Sequence, residues 1–519
     1  MAATHKSIEL NEQFRRALEV MERSDKNIFV TGRAGTGKST LLEYFRNATA
    51  KKIVILAPTG VAALNVKGQT IHSFFKFRPD VTPEKVRQQK TRESSHDIYR
   101  QLDAIVIDEI SMVRADLLDC IDVFLRKHRP GAGKKFGGLQ MIFIGDLYQL
   151  PPVVSGKERE IFARLYETPY FFSALVFKDL AIEFIELEKV YRQHDQEFIS
   201  LLNGIRNNSV SEEDIVRLNT RLMPEFEPAA NSFYISLTTT NDLAATHNTL
   251  RLAELRGKSY LFDGQITGIF GKEYLPTATV LQVKTGAQIM MLNNDAEGRW
   301  VNGSMGKVTA VKKDMDGNTV IKVSLSEGEE VEVSPHTWEI YQFYVEDGKL
   351  QSDVAGTFTQ YPLMLAWAVT IHKSQGKTFD RVIVDIGRGA FAHGQIYVAL
   401  SRCTSFEGMV LKKPINKNNI LMDYRVVKFL TNFQYNKAEQ ACSFEERIKI
   451  IEKAIKNKAE LRIVYLKPND EKSIRKIRPL KVGEQEFKGV RYIGLDAFCL
   501  KRNEDRVFRV DRILEIEEL

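Results

Sequence analysis

Ile28-Phe-Val-Thr31-Gly32-Arg-Ala-Gly35-Thr36-Gly37-Lys38-Ser39-Thr40 is the stretch on which the fold turns: an apolar strand, a glycine-rich loop and the first turn of a helix that runs on to Phe45. Residues Gly32 to Ser39 fit the spacing G-x-x-x-x-G-K-[ST], in the strand-to-helix setting that gives this spacing its meaning. The glycines let backbone amides turn inward around phosphate oxygens at a helix N-terminus. Gly32, Gly35, Thr36 and Gly37 then form the cradle, Lys38 bridges the outer phosphates, the Ser39 hydroxyl can ligate Mg2+, and Thr40 closes the turn.

Further apolar runs follow at Ile53 to Ala57, Ala104 to Asp108 and Met141 to Gly145. Strands alternating with helical stretches predict an α/β fold on a parallel sheet. The third run ends in Asp108-Glu109, an acid pair suited to holding magnesium and to activating water. The fourth leads into Gly145-Asp-Leu-Tyr-Gln149-Leu-Pro-Pro152, where Gln149 could sense a γ-phosphate and the prolines stiffen the exit.

At 519 residues the chain exceeds what one hydrophobic core serves, and 43% apolar with 27% charged residues is ordinary globular composition. Lys and Arg outnumber Asp and Glu by 74 to 67; the net +7 suits a polyanionic partner without demanding one. The four cysteines are scattered without C-x-x-C pairing, which points to free thiols in a reducing compartment. The longest apolar run, Leu363 to Ile371, is too short to span a bilayer, and Met1 to Asn11 carries no long apolar core. No membrane partner and a cytoplasmic site are expected.

Outward from the phosphate loop, the motifs resemble those of superfamily 1 DNA helicases of the Pif1-like group. The phosphate loop, Asp108-Glu109-Ile-Ser-Met112 and Gly145 to Pro152 look like its first three motifs. Leu10-Asn-Glu-Gln13 is similar to its adenine-reading glutamine motif, and Phe136-Gly-Gly-Leu-Gln140 to the stretch that separates Pif proteins from RecD relatives. Glu188-Lys-Val-Tyr-Arg192-Gln193 and Gln395-Ile-Tyr-Val-Ala-Leu-Ser-Arg402 resemble the fourth and sixth motifs, each offering an arginine toward the γ-phosphate. A lone arginine is otherwise most often a surface ion pair.

Candidate DNA contacts follow from the same resemblance: Pro58, Thr59 and Gly60; His72 and Phe74; Thr370, His372 and Lys373, with Gly376 beside the nucleotide. Hydroxyls, amides and Lys373 suit phosphates, and the rings suit sugars or bases. Phe74 and Phe75 read equally well as core residues.

The resemblance implies two RecA-like P-loop domains, 1–183 and 184–430, with a wedge-like insertion at 78–103 and an SH3-like β insertion at about 300–357. Alternation over Thr279 to Thr357, with turn residues Asp316-Gly317-Asn318, predicts a small antiparallel β barrel there. A linker is expected at 431–442, then a β-rich domain at 443–519 that resembles a WYL domain. In that domain Tyr465, Arg478, Arg491, Tyr492, Arg509 and Arg512 are read as a basic, aromatic patch for single strands, although Arg491 and Ile493 replace the tryptophan and leucine of the naming triplet. A solvated charged face is the equal alternative.

What the resemblance implies is an ATP- and Mg2+-dependent helicase moving 5'-to-3' on single-stranded DNA, working as a monomer in the bacterial cytoplasm and nucleoid. Forks, R-loops and G-quadruplexes are its implied obstacles, and repair, recombination and telomere-type maintenance its processes. A RecD-like or RNA-directed helicase, or a regulator that binds DNA without translocating, remain alternatives.

Overall fold

The computed structural model describes residues 11–519 apart from 90–96, 132, 155, 194, 230–231, 316, 347–348 and 388–391. Leu10 of the glutamine motif, Asp316 of the expected turn and part of the expected wedge lie outside the described residues. The chain forms two compact units: residues up to Arg206 with Val210–Leu421, and Met422–Leu519 with Asn207–Ser209.

The larger unit contains two parallel sheets. The first has six strands in the order Gln69–Thr70, Ile53–Ala57, Ala104–Ile107, Gln140–Ile144, Asn27–Gly32, Ile182–Leu187. Every pairing in it is parallel. Its central strands are buried along their length, which is why they read as unbroken apolar runs rather than as alternation. Helix Glu12–Arg23 starts where the Asn11 side chain accepts the Phe14 amide at 2.8 Å. With helix Lys38–Ala48 it covers Ile28, Val30, Ile142 and Ile144 through Phe14, Ala17, Met21, Leu41 and Phe45. The expected boundary at residue 183 is corrected here, because Ile182–Leu187 pairs in register with Asn27–Gly32 and is the edge strand of the first sheet, not the start of the second.

The second sheet has four parallel strands, Ala368–Thr370, Ile235–Thr238, Val382–Val384 and Met409–Leu411. Between its first two strands in sequence lies antiparallel structure that begins at Ser259 and ends at Leu365, wider than the expected 300–357. It is not one sheet. Five strands from Gln288–Met291 to Leu363–Leu365 enclose Ile289, Val308, Ile321 and Val323. The hairpin His336–Glu346 with Lys349–Gln360 instead pairs with Gln265–Gly268. Within 78–103, helices Pro83–Gln88 and Asp97–Gln101 are described.

In the smaller unit the expected linker is also corrected. Residues Tyr424–Ala441 form an 18-residue helix with Val426, Val427, Leu430 and Ala438 buried, and Gln434 donates to Asp470 at 2.8 Å. Helix Phe444–Asn457 follows, with a capping box between Ser443 and Glu446. A five-stranded antiparallel sheet, in the order Glu504–Arg509, Val490–Cys499, Lys472–Phe487, Leu461–Leu466, Ile513–Glu518, packs Ile463, Ile477 and Leu495 against Ile451 and Ala454.

All four cysteines are free thiols. Among the described residues no helix is long and apolar enough to cross a membrane.

Candidate nucleotide site and strand contacts

The phosphate loop joins the strand Asn27–Gly32 to the helix Lys38–Ala48, and all three of its glycines carry positive φ, Gly32 at 154°, Gly35 at 78° and Gly37 at 86°. A side chain at Gly35 would also collide with Arg192, whose Cβ lies 2.5 Å from where the new Cβ would stand. Gly37 faces the Phe14 ring, and the Gln13 side chain accepts the Glu188 amide at 2.9 Å, which fixes the glutamine beside the loop. Lys38 Nζ donates to the carbonyls of Gly32 at 2.7 Å and Arg33 at 3.0 Å, so the ammonium sits inside the loop. Burial pushes its pKa down, against the pull of Asp146 and Glu109.

Asp108 and Glu109 follow the central strand Ala104–Ile107. Burial raises both carboxyl pKa values; Asp108 raises that of Glu109 further, and Lys38 draws both back. Glu109 adopts a left-handed backbone, φ 50°, which turns its side chain away from the strand direction. Ser39 and Thr40 are exposed at the start of the helix. Among the described residues no group of three or more His, Cys, Asp or Glu could hold a metal. Asp108 and the Ser39 hydroxyl nevertheless fit a magnesium ion that keeps water and phosphate oxygens as its other ligands.

Arg192, expected in the domain 184–430, lies in the connection leaving Ile182–Leu187, the edge strand of the first sheet. There the Tyr191 amide donates to Gly35 O at 2.8 Å, while Arg192 Nη1 donates to Ser401 O at 3.2 Å. Gln193 holds Ser401 O and Cys403 O as well. Arg402, 1% exposed, follows the helix Gln395–Leu400 of the second lobe and is anchored by Val398 O, Lys377 O and Ser401 Oγ. Burial and the Arg192 charge lower its pKa, whereas Glu109 and Asp146 favour the cation. The second lobe also meets the phosphate loop at Tyr397, whose hydroxyl accepts the Ala34 amide at 2.8 Å.

Gln149 lies between the lobes. Its Nε2 donates to Asp146 at 3.2 Å, and its Oε1 accepts from Gln375 at 3.1 Å. Asp146 meets the buried Arg206 at 3.5 Å, and Arg206 lies 3.9 Å from the centre of the Tyr148 ring. Sequence reasoning assigned no role to Gln375, Tyr397 or Arg206. Tyr397 stands inside a motif string already quoted and Gln375 between the candidates Lys373 and Gly376, but Arg206 ends an unremarkable amphipathic helix, Gln196–Arg206, and nothing in its neighbours marks it.

The candidate strand contacts divide. Thr59 caps helix Gly60–Asn65 through Ala62 N and remains exposed beside half-buried Pro58, while Gly60 packs against the Glu273 carbonyl. Lys373 is exposed. His72 and His372 are half-buried with lowered pKa values, so they offer neutral rings rather than charge. Thr370 is 4% exposed and caps its own turn by accepting the Lys373 amide. Phe74 is corrected: at 5% exposure it lies in a ring cluster with Phe75 and Tyr99, and its carbonyl accepts the Tyr99 hydroxyl. Gly376, φ 78°, forms the turn after Gln375, with open space around it.

In the smaller unit the six expected patch residues do not form one patch. Arg509 lies 5.0 Å from the Tyr492 ring centre, its amide donates to Tyr465, and Tyr435 joins Arg509 and Arg512 electrostatically. Arg491 and Tyr492 alternate to opposite faces of the strand, and Arg491 faces Glu486 at 3.7 Å. Arg478 is paired with Glu460 at 3.0 Å, far along the sheet at the register of Phe498.

The model of the PIF1-like helicase family matches residues 8–215, and that of the WYL domain residues 446–518. The ATP-dependent DNA helicase Pif1 of Bdellovibrio bacteriovorus is 32% identical over 440 residues, covering 82% of this chain and 93% of that protein. Human ATP-dependent DNA helicase PIF1 is 35% identical over 392 residues, but the chain spans only 58% of its length. The crystal structure of Bacteroides sp Pif1 in complex with ADP-AlF4 is similar at TM-score 0.75 and 36% identity, covering 82% of this chain and 97% of that one. The same Bacteroides helicase bound to ssDNA matches at TM-score 0.58. With the phosphate loop, acid pair and arginine-bearing second lobe in one compact unit, the chain belongs to the Pif1-like helicase family.

Proposed function

We propose that this chain is an ATP- and Mg2+-dependent DNA motor that moves 5'-to-3' on single-stranded DNA and separates forked duplexes. The observation that carries this reading is the clasp: the connection bearing Arg192 lies against Gly35, Tyr397 of the second lobe holds the loop amide of Ala34, and Arg402 acts electrostatically on Glu109. In this reading Gln13 reads the base. Gly32 to Thr40 hold the phosphates, and Asp108 and Ser39 hold magnesium. Glu109 orients the attacking water, assisted by Gln149, and Arg192 and Arg402 neutralise charge in the transition state. Hydrolysis then alters the grip of one lobe relative to the other on strand contacts at Pro58 to Gly60, His72, His372 and Lys373.

The cluster of Tyr465, Tyr492, Arg509 and Arg512 supports a second strand-binding surface on the WYL unit, and Arg478 and Arg491, paired with Glu460 and Glu486, lie outside it. Monomeric action in the bacterial cytoplasm, and R-loops or G-quadruplexes as obstacles, belong to the same proposal. A strand-displacement assay on forks with 5' or 3' single-stranded tails tests it. Unwinding that requires the 5' tail and ATP is expected, and unwinding from the 3' tail alone would reverse the polarity.

A further inference from the structure

One side chain connects the strand-facing turn of the second lobe to the acid pair of the first. Gln375 Nε2 donates to Glu109 Oε2 and to Gln149 Oε1, both at 3.1 Å. Its backbone belongs to a tight turn: Lys373 N donates to Thr370 Oγ1 at 3.2 Å, Ser374 N to Thr370 O at 2.9 Å, and Gln375 N to His372 O at 3.2 Å. Lys373 and Gln375 are two residues apart in this turn, so a displacement of Lys373 is transmitted to the amide. On the other side Gln149 is tied to Asp146, and Asp146 to the buried Arg206, so the acceptor end of the bridge is held firmly. The amide on Oε2 takes one of the acceptor sites of the Glu109 carboxylate and fixes its orientation toward Gln149.

We propose that Gln375 is a positioning residue that couples strand occupancy to ATP hydrolysis. With the turn as it stands, the Gln375 amide holds the Glu109 carboxylate toward Gln149; a DNA phosphate gripped by Lys373 shifts the turn, withdraws the amide and frees Glu109 to align water. This rests on the motor reading above and adds to it the device by which an idle enzyme is kept from hydrolysing ATP.

The test is steady-state ATP hydrolysis by full-length wild type, Gln375→Ala and the nearly isosteric Gln375→Glu, with and without saturating oligothymidine, beside oligothymidine affinity. Both variants are expected to raise the strand-free rate about tenfold and leave strand affinity within about twofold, so that the stimulation ratio falls at least about fivefold. A ratio that survives in either variant, or one that falls because only the stimulated rate is lost, overturns the coupling while leaving the motor intact. A wild type indifferent to oligothymidine overturns the motor reading itself.

Discussion

Arg402 is nearly inaccessible, yet its guanidinium spends its hydrogen bonds on two carbonyls and a hydroxyl rather than on a carboxylate. A buried cation without a bonded anion is costly unless negative charge lies near, and here that charge is Glu109 and Asp146 across the cleft. Replacing Arg402 with alanine should leave ATP affinity within a modest factor and lower turnover by about a thousandfold or more. Equilibrium nucleotide binding and single-turnover hydrolysis check this, and near-normal turnover would make Arg402 structural. At the same scale, Phe74→Leu should keep strand affinity within about twofold because Phe74 faces the ring cluster; a tenfold loss by anisotropy would restore it as a contact. Lys38, Asp108 and Glu109 were legible because each ends a strand or loop whose spacing leaves few alternatives. Phe74 was not, since a phenylalanine beside a histidine reads alike whether it faces bases or Phe75 and Tyr99.

Between the strand Gln69–Thr70 and the helix Ala115–His128, the rings of Phe74, Phe75, Phe77, Tyr99 and Phe124 form one cluster of edge-to-face and stacked pairs. It fastens the short helix Ile71–Phe75, which carries His72, to the body of the first lobe. Phe75, 1% exposed, is its centre, so Phe75→Ala should cost about 3–5 kcal/mol in urea unfolding and weaken strand binding through His72. A loss under about 1 kcal/mol would show that the cluster collapses around the gap. The parallel strands were legible from apolar runs in strand–helix alternation. The helix Tyr424–Ala441 was missed because the polar Thr431 and Gln434 interrupt its buried face, and that burial depends on partners such as Asp470 that are distant in sequence.

At the scale of the molecule, the helix Tyr424–Ala441 belongs to the smaller unit, so the place to divide the chain is after Leu421 and not at residue 442. A chain ending at Leu421 is expected to keep oligothymidine-stimulated ATP hydrolysis and lose some strand affinity. One ending at Cys442 would expose Val426, Val427 and Leu430 and is expected to aggregate in size-exclusion chromatography; the opposite order would contradict the division. The two lobes could be counted from the sequence, but their meeting could not. The contacts of Tyr397 with the Ala34 amide and of Gln375 with Glu109 join residues several hundred positions apart, and no local pattern encodes them. Two lobes that close on one nucleotide should be most complementary to its transition state. Equilibrium affinities of wild type, Arg192→Ala and Arg402→Ala for ADP and for ADP with aluminium fluoride test that directly. The clasp predicts ADP affinities within about threefold of one another and an analogue affinity reduced about a hundredfold in each variant. Variants that bind the analogue as tightly as wild type would contradict it.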